Sequence, residues 1–557
     1  MRFHLVSINC RYSHSCLAQF YLRNVLEKRL DCSTRLSQYT INDPYYQTLL
    51  RLTSIPCRAV FFSVYIWNHR IVRRLLADLC RLVPELPVIL GGPQAASLGK
   101  LPEQCSLVIG EIEVMDDDFF SDLAAGELRP VYHAGAARDF PSPYQGEDFN
   151  GPLKNRQLYY ESSRGCPFFC AYCLSSISRG VRHKPLEQVR KELTQLIAVR
   201  PMIIKFVDRT FNDRPDRALA IWRFLVDQAK EVKCHFEIAP DRFTEQMFTF
   251  LASVPCDLFQ FEIGIQSCSP QTLAAVNRQM DVEAAGNNIR RLIALDTIHI
   301  HVDLILGLPY ETATSFRDSF NRVFSFEPHY IQLGLLKVLP DTEMARRADE
   351  YGLVFCSEPP YEVLATRWMD HETLRDLYEF CECVESFYNN RFFRSLWQYL
   401  ARNNEEPFVF FTGLLDCCRK HDFFQLAATQ KLMTEIFCVY AGTREDGEVL
   451  LDLLRYDWLR CGHRTLPAVL EKGSQKELRR QMHRSLPQNI EGLFDYRNRT
   501  EFLKKAAFLE PSAKAMEILN PGADAPACIA FLPGQTQGVM KFCTTVILGE
   551  GVDDLEK

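Results

Sequence analysis

The chain has 557 residues, 47% of them hydrophobic and 24% charged, with a formal net charge of −6. That length gives about three or four domains, and the composition belongs to a globular protein with sizeable cores. The acidic balance excludes a broadly basic nucleic-acid surface, and no apolar run is long enough to cross a membrane. Asn9 and Arg11 break the first apolar segment too early for a signal peptide, so its 21 cysteines imply a reducing, cytoplasmic setting and mostly free thiols.

In chain order, Phe3–Ile8 reads as a buried strand, and a polar loop with His14 follows it. Leu17–Leu30 has helical spacing, Asp31–Thr40 and Ala59–Tyr65 read as strands, and Ile71–Leu82 as a helix. Pro87–Leu90 and Leu107–Ile109 are two more strands, ending in Gly91-Gly92-Pro93 and in Gly110-Glu111-Ile112-Glu113. Strands alternating with helices predict a Rossmann-like, doubly wound parallel sheet over residues 1–128. A ligand of such a sheet sits beyond the carboxyl ends of the strands, where Ser63, Gly91, Gly92 and Gly110 fall. Glycines there let a backbone approach a large ligand closely.

From 129 to 155 prolines and glycines break the pattern, which predicts a linker. Leu158–Glu161 is then a strand feeding Cys166-Pro167-Phe168-Phe169-Cys170-Ala171-Tyr172-Cys173. Three thiolates in C-x3-C-x2-C spacing suit three irons of a [4Fe–4S] cluster, which normally takes four cysteines. The fourth iron is left open to a ligand. A structural zinc loop would need a second cysteine pair, and none follows. This spacing, with an aromatic residue before the third cysteine, resembles the radical S-adenosylmethionine (radical SAM) superfamily.

Beyond the cysteines, Leu186–Ala198 and Arg217–Lys230 read as helices, and strands fall at Met202–Val207, Cys234–Asp241, Leu258–Ser267, His299–Leu306 and Tyr330–Leu336. With the strand before the cysteines they predict a partial (β/α)6 barrel over 156–345, with polar residues gathered at the carboxyl ends of its strands. The resemblance implies contacts from those ends to S-adenosylmethionine. Asp208 would accept from its ammonium, with Arg209 and Asn212 beside it. Glu262 and Gln266 would face ribose and methionine, Asp303 and Gly307 the adenine side, and Tyr172 would present its backbone to adenine.

The first 128 residues resemble the cobalamin-binding domain that precedes many radical SAM cores, through Gly91-Gly92-Pro93 and Gly110-Glu111-x-Glu113. The family's second turn usually reads Gly-Glu-Gly-Glu, and here Ile112 stands for the middle glycine. The histidine motif that ligates cobalt elsewhere is absent. The resemblance implies cobalamin held near His14, Ser63, Gly91, Gly92, Gly110 and Glu111, without histidine on cobalt.

After about residue 340 the alternation fades. Leu374–Leu400 and Phe408–Tyr440 are helical and aromatic, and Ile529–Leu532 with Val546–Leu548 suggests a small α+β end. The cysteines at 381, 383, 417 and 418 lack the spacing of an auxiliary cluster. This third, 346–557, resembles the family-specific domain of an uncharacterised branch and is expected to cover or select the substrate.

The resemblance implies an enzyme that cleaves S-adenosylmethionine reductively to a 5′-deoxyadenosyl radical and methylates an unactivated carbon of a small-molecule or other substrate. It implies an electron donor such as a flavodoxin or ferredoxin. The alternatives are a cobalamin-dependent rearrangement, cyclisation or reduction without methyl transfer, and a non-enzymatic cobalamin or iron–sulfur sensor. A methylthiotransferase acting on transfer RNA ranks behind them, because Cys10, Cys16, Cys32, Cys57, Cys80 and Cys105 are scattered and no basic terminal barrel is evident.

Overall fold

The computed structural model describes residues 1–177, 180–229, 231–390, 392–403, 405–472, 475–486, 496, 498–520, 528–532 and 543–548. Lys230 of the predicted Arg217 helix, and parts of the 346–557 segment including its end at 549–557, lie outside the described residues.

Six parallel strands form the first sheet: β1 (Arg2–Asn9), β2 (Ser33–Thr40), β3 (Ala59–Ser63), β4 (Val88–Gly91), β5 (Cys105–Ile109) and β6 (Val131–His133). Their order is β2-β1-β3-β4-β5-β6, with helices on both faces, as a doubly wound sheet requires. β3 is buried along its whole length, which explains its unbroken apolar run. Helices at Tyr45–Thr53 and Asp117–Ala125 were not anticipated. Nor was β6, which pairs with β5 inside the stretch read as linker. Three residues between prolines carry too little periodicity to announce a strand.

The rest of the linker is clamped rather than free. Arg23, on the helix Leu17–Arg29, donates to both oxygens of Asp148 at 2.5 and 2.8 Å and to Pro143 O at 2.9 Å.

The second sheet is also six-stranded and parallel: β7 (Leu158–Tyr160), β10 (Ile203–Phe206), β11 (Lys233–Ile238), β12 (Phe259–Gln266), β13 (His299–Leu306) and β14 (Tyr330–Leu335), in order of position. Between the first two of these lies an antiparallel hairpin, β8 (Ser163–Cys166) and β9 (Gly180–His183), that carries the cysteines. Along β12 buried and half-buried residues alternate. Phe259, Phe261, Ile263 and Ile265 join Trp222 and Phe236 in the helix-facing core, while Gln260, Glu262 and Gln266 face the opposite, concave side. The half-barrel is open, and its edge strand β14 is capped by Asn389, whose side chain bonds both Ile331 N and Ile331 O at 2.8 Å.

The predicted helix over 374–400 is two helices, His371–Phe387 and Arg394–Arg402. The segment 408–440 is likewise broken, into Pro407–Lys420 and Gln430–Ala441, with Asp422 in the left-handed conformation (φ 50°) between them. The chain continues to a three-stranded antiparallel sheet of residues Ala507–Leu509, Cys528–Leu532 and Thr544–Leu548. One continuous apolar core joins the half-barrel to these helices, with Phe320 stacked edge-on against Phe380 and Phe411. The first sheet has separate apolar cores of its own.

Candidate functional site

The cysteine hairpin is built by backbone constraints. Gly165 has φ +96°, and a Cβ there would meet Gly180 O at 2.1 Å, so only glycine fits beside Cys166. The loop is pinned on both sides by Ala171 N to Val276 O at 3.0 Å and Met344 N to Ala171 O at 2.8 Å. Cys170 is buried, and Cys166 and Cys173 are half-buried. Burial pushes the Cys166 thiol up, partly offset by Thr210 Oγ1 at 3.5 Å. Arg278 donates to Cys170 Sγ at 3.6 Å and lies 5.8 Å from the Phe168 ring. Tyr172 packs beside Cys170, and burial pushes its phenol up. Among the described residues no three His, Cys, Asp or Glu side chains converge as ligands of one ion. A cubane asks for something else, one thiolate per iron, and three thiols on one pinned loop fit that demand.

The strand-end residues divide into two groups. Asp208 has a structural duty that was not expected. It is 1% exposed and accepts from Ser162 N at 2.9 Å and from Ser162 Oγ and Ser163 Oγ at 2.6 Å each. Its carboxylate therefore holds the start of the cysteine hairpin, with three of its acceptor positions used by the chain itself. Asn212 is similarly committed, exchanging bonds of 2.8 Å with Ala239 N and O.

Glu262, Asp303 and Gln266 do face the concave side. Glu262 pairs with His235 at 3.0 Å, and this hydrogen bond holds its carboxyl below the usual range despite burial. Asp303 Oδ1 is buried without a partner. Burial, with Glu262 and Glu237 near, pushes the Asp303 carboxyl well up. Two neighbouring acids are thus pushed apart in acidity, the pattern of groups with different tasks. Gln266 sits at φ 74°, where the pairing of β12 with β13 shifts register. Its amide folds over Gly264, where a Cβ would lie 2.0 Å from Gln266 Nε2. A non-glycine residue at positive φ on a strand end is uncommon and marks a site held by its surroundings. Gly307 (φ +90°) turns the chain under Val363, whose Cγ1 is 2.6 Å from where a Cβ would be.

Sequence reasoning missed Glu237, His235 and Arg278. Burial raises Glu237 to about 7, and Arg209 lies 3.6 Å away. Alternation along β11 was the available signal for the first two; Arg278 lies on a loop and gave none.

All six residues expected at the first domain's strand ends, His14, Ser63, Gly91, Gly92, Gly110 and Glu111, line one cavity of about 500 Å³. Its opposite wall comes from the half-barrel, through Tyr159, Glu161, Arg164, Val207 and Arg209. Gly92 (φ +102°) and Gly110 (φ +103°) fit no other residue, since a Cβ would meet Val64 O at 2.6 Å and Ala134 O at 2.1 Å. His14 Nδ1 lies 3.2 Å from Tyr159 Oη and 3.4 Å from Cys10 Sγ. Burial lowers its basicity, with Lys205 and Arg11 adding to the effect. Tyr65 and Trp67, not anticipated, stack at 4.5 Å on the same cavity. Glu111 is only partly free for a ligand, because it accepts from Arg164 at 2.8 Å, Arg182 at 2.5 Å and Ala137 N at 2.9 Å. Burial pushes its carboxyl up, but these donors outweigh burial and hold it below the usual range. A glycine-walled cavity at the switch of a parallel sheet fits one face of a large planar cofactor.

Comparison with known proteins agrees with this architecture. Residues 160–323 match the radical SAM superfamily, and residues 349–509 match DUF4080, a family of proteins of unknown function. The cobalamin-dependent radical SAM methyltransferase TokK of Streptomyces tokunonensis is 25% identical over 420 residues, covering 64% of this chain and 60% of TokK. The 2-(S-pantetheinyl)-carbapenam-3-carboxylate methyltransferase of Streptantibioticus cattleyicolor is 24% identical over 63% of this chain and 59% of its own length. The chain thus spans about three fifths of the length of these relatives. In fold it is similar to the cobalamin-dependent S-adenosylmethionine radical enzyme OxsB with aqua-cobalamin and S-adenosylmethionine bound. That match has a TM-score of 0.57 and 14% identity, over 84% of each chain. Over residues 160–323, which carry Cys166, Cys170 and Cys173 on their pinned loop, the chain is similar to the radical SAM superfamily.

Proposed function

We propose that this chain is a cobalamin-dependent radical SAM enzyme that methylates an unactivated carbon of a small-molecule substrate. The observation that carries the reading is the cavity between the first sheet's glycine turns and the mouth of the half-barrel, a few residues from the cysteine hairpin. In this reading Cys166, Cys170 and Cys173 hold a [4Fe–4S] cluster, and Tyr172, Glu262, Gln266, Asp303 and Gly307 hold S-adenosylmethionine. The cavity residues His14, Ser63, Gly91, Gly92, Gly110 and Glu111 hold cobalamin. When bound, these groups supply a carbon-centred radical and a transferable methyl group.

The chain's own residues do the rest. Arg278 holds its guanidinium against Cys170 Sγ. Asp208 fixes the hairpin, and His235 keeps Glu262 ionised and aimed. The unpartnered Asp303 oxygen is left to meet a donor on the ligand, since a buried acceptor without one is costly. The first domain closes one side of the barrel mouth, which excludes water from reactive species. Electrons come from a small donor protein such as a flavodoxin or ferredoxin. Among the described residues no helix is long and apolar enough to cross a membrane, and the reading places the enzyme in the cytoplasm.

The test is anaerobic reconstitution of the full chain with iron, sulfide and hydroxocobalamin, followed by visible spectra and nucleoside analysis under reduction. Cluster absorbance, retained cobalamin and 5′-deoxyadenosine or S-adenosylhomocysteine are expected, and Cys170→Ala loses the cluster band and the nucleoside. A reconstituted sample that binds both cofactors yet never cleaves S-adenosylmethionine overturns the enzymatic reading in favour of a sensor. A product without an added methyl group points instead to rearrangement or reduction.

A further inference from the structure

Between the cavity and the cysteine hairpin lies a cluster of charges whose central member the functional reading leaves without a task. Arg164, two residues before Cys166 on β8, stands at its centre. Its guanidinium donates to Glu111 at 2.8 Å and Glu113 at 2.7 Å, both on the turn that ends β5 of the first sheet. It also donates to Glu161 at 2.9 Å, at the end of β7. The rings of Tyr21 and Phe140 lie 4.7 and 4.6 Å from it. Arg182, from the other strand of the hairpin, reaches the same Glu111 at 2.5 Å. Arg164 is 13% exposed in its side chain, so these ion pairs are largely screened from water and stronger than surface pairs.

Each side has apolar cores of its own, which meet at Phe20 and Leu36, and this ionic joint ties the glycine turn of one domain to the cysteine strand of the other. Arg164, Glu111, Glu113 and Glu161 also line the cavity itself. A planar guanidinium can serve three carboxylates in fixed directions, which a lysine ammonium on a flexible stem cannot. Moving the hairpin therefore moves the wall of the cavity.

We propose that Arg164 is a positioning residue that couples filling of the interdomain cavity to assembly at Cys166, Cys170 and Cys173. The proposal rests on the functional reading above, in which the cavity takes cobalamin and the cysteines take a cluster. Assembly on the hairpin fixes β8, β8 fixes Arg164, and Arg164 presents Glu111 and Glu113 in the arrangement that shapes the cavity. Coupling of this kind is reciprocal, so cobalamin steadies the hairpin to the same extent.

The experiment measures the dissociation constant of hydroxocobalamin for the full chain before and after anaerobic reconstitution with iron and sulfide. In the wild type the reconstituted form binds more tightly, by at least about fivefold, the lower end of ordinary coupling between sites. In Arg164→Met the ratio of the two constants falls to about one, while Arg164→Lys recovers only part of it. Glu113→Gln, which removes one arm of the joint and leaves Glu111 in place, lowers the ratio partway and serves if Arg164→Met does not fold. A melting curve separates loss of coupling from loss of fold. Wild-type binding with a ratio of one, or an unchanged ratio in both Arg164→Met and Glu113→Gln, overturns the proposal. Absence of cobalamin binding in either wild-type form overturns the functional reading instead, and the coupling with it.

Discussion

Glu311 is fully buried behind the Gly307-Leu308-Pro309 turn, with Ser267 Oγ donating to one oxygen at 2.8 Å and the other oxygen unpartnered. Burial pushes its pKa up to about 8, with the Ser267 bond offsetting part of the effect. The folded protein therefore holds a proton there that the unfolded chain gives up near pH ~4.3. Stability from this group is complete below the unfolded value and is lost as pH rises towards 8, by about 1 kcal/mol per pH unit. Melting temperature is expected to fall between pH 6 and pH 8 in the wild type and to fall less in Glu311→Gln. Calorimetry at matched ionic strength checks this, and equal slopes for the two proteins would rule it out. At the same scale the carboxylates show why residue type does not settle residue duty. Glu262 lies within an apolar strand and Asp208 just after one, yet one faces the concave side of the sheet and the other is enclosed by serine donors.

The cysteine hairpin is the element on which the site depends. Its two strands have four residues each, too short to persist without tertiary support. Asp208, from the end of the neighbouring strand β10, supplies that support through three hydrogen bonds to Ser162 and Ser163. In Asp208→Asn the amide oxygen can keep Ser162 N, but the NH2 group replaces the oxygen that accepts from both hydroxyls, which must turn round to accept, so two charge-assisted hydrogen bonds are lost. The expected cost is about 1–3 kcal/mol, together with lower iron content after reconstitution at an unchanged helix and strand signal. Iron and sulfide analysis beside circular dichroism measures both, and full iron loading in the variant would remove Asp208 from this role. The glycines at 92, 110 and 165 belong to the same argument, since each has positive φ and a backbone oxygen where a side chain would start.

On the scale of the whole molecule, two joints of different chemistry connect three regions. The half-barrel and the following helices share one apolar core, so the DUF4080 region is packed as a continuation of the barrel. The first sheet is joined by Phe20, which is buried in that core, and by polar contacts at Arg164 and at the Arg23–Asp148 pair, whose side chains are 5% and 3% exposed. Removing one partner of such a pair costs about 3–5 kcal/mol, because the other charge stays buried. Asp148→Asn is therefore expected to lower the first melting transition and to hasten proteolysis within 134–157, with little effect on the half-barrel's own transition. Limited proteolysis timed against melting tests this, and a single unchanged transition would show that the pair does not secure the joint.

The sequence by itself determined what is local. Cysteine spacing is a property of a single loop, and the alternation of β and α segments is written in apolar periodicity, so the two parallel sheets and the cluster motif were legible. The glycine turns were legible for the same reason, because the need for a missing side chain is settled by the backbone at one position. Tertiary structure alone decided which partners those residues meet. Asp208 was assigned to a ligand and holds serines, Glu111 was assigned to a cofactor and is largely held by Arg164 and Arg182, and the linker turned out to contain β6 and a buried ion pair. A hydrogen bond or ion pair joins residues far apart in the chain, at distances set by how the sheets stack, and no local pattern encodes that distance.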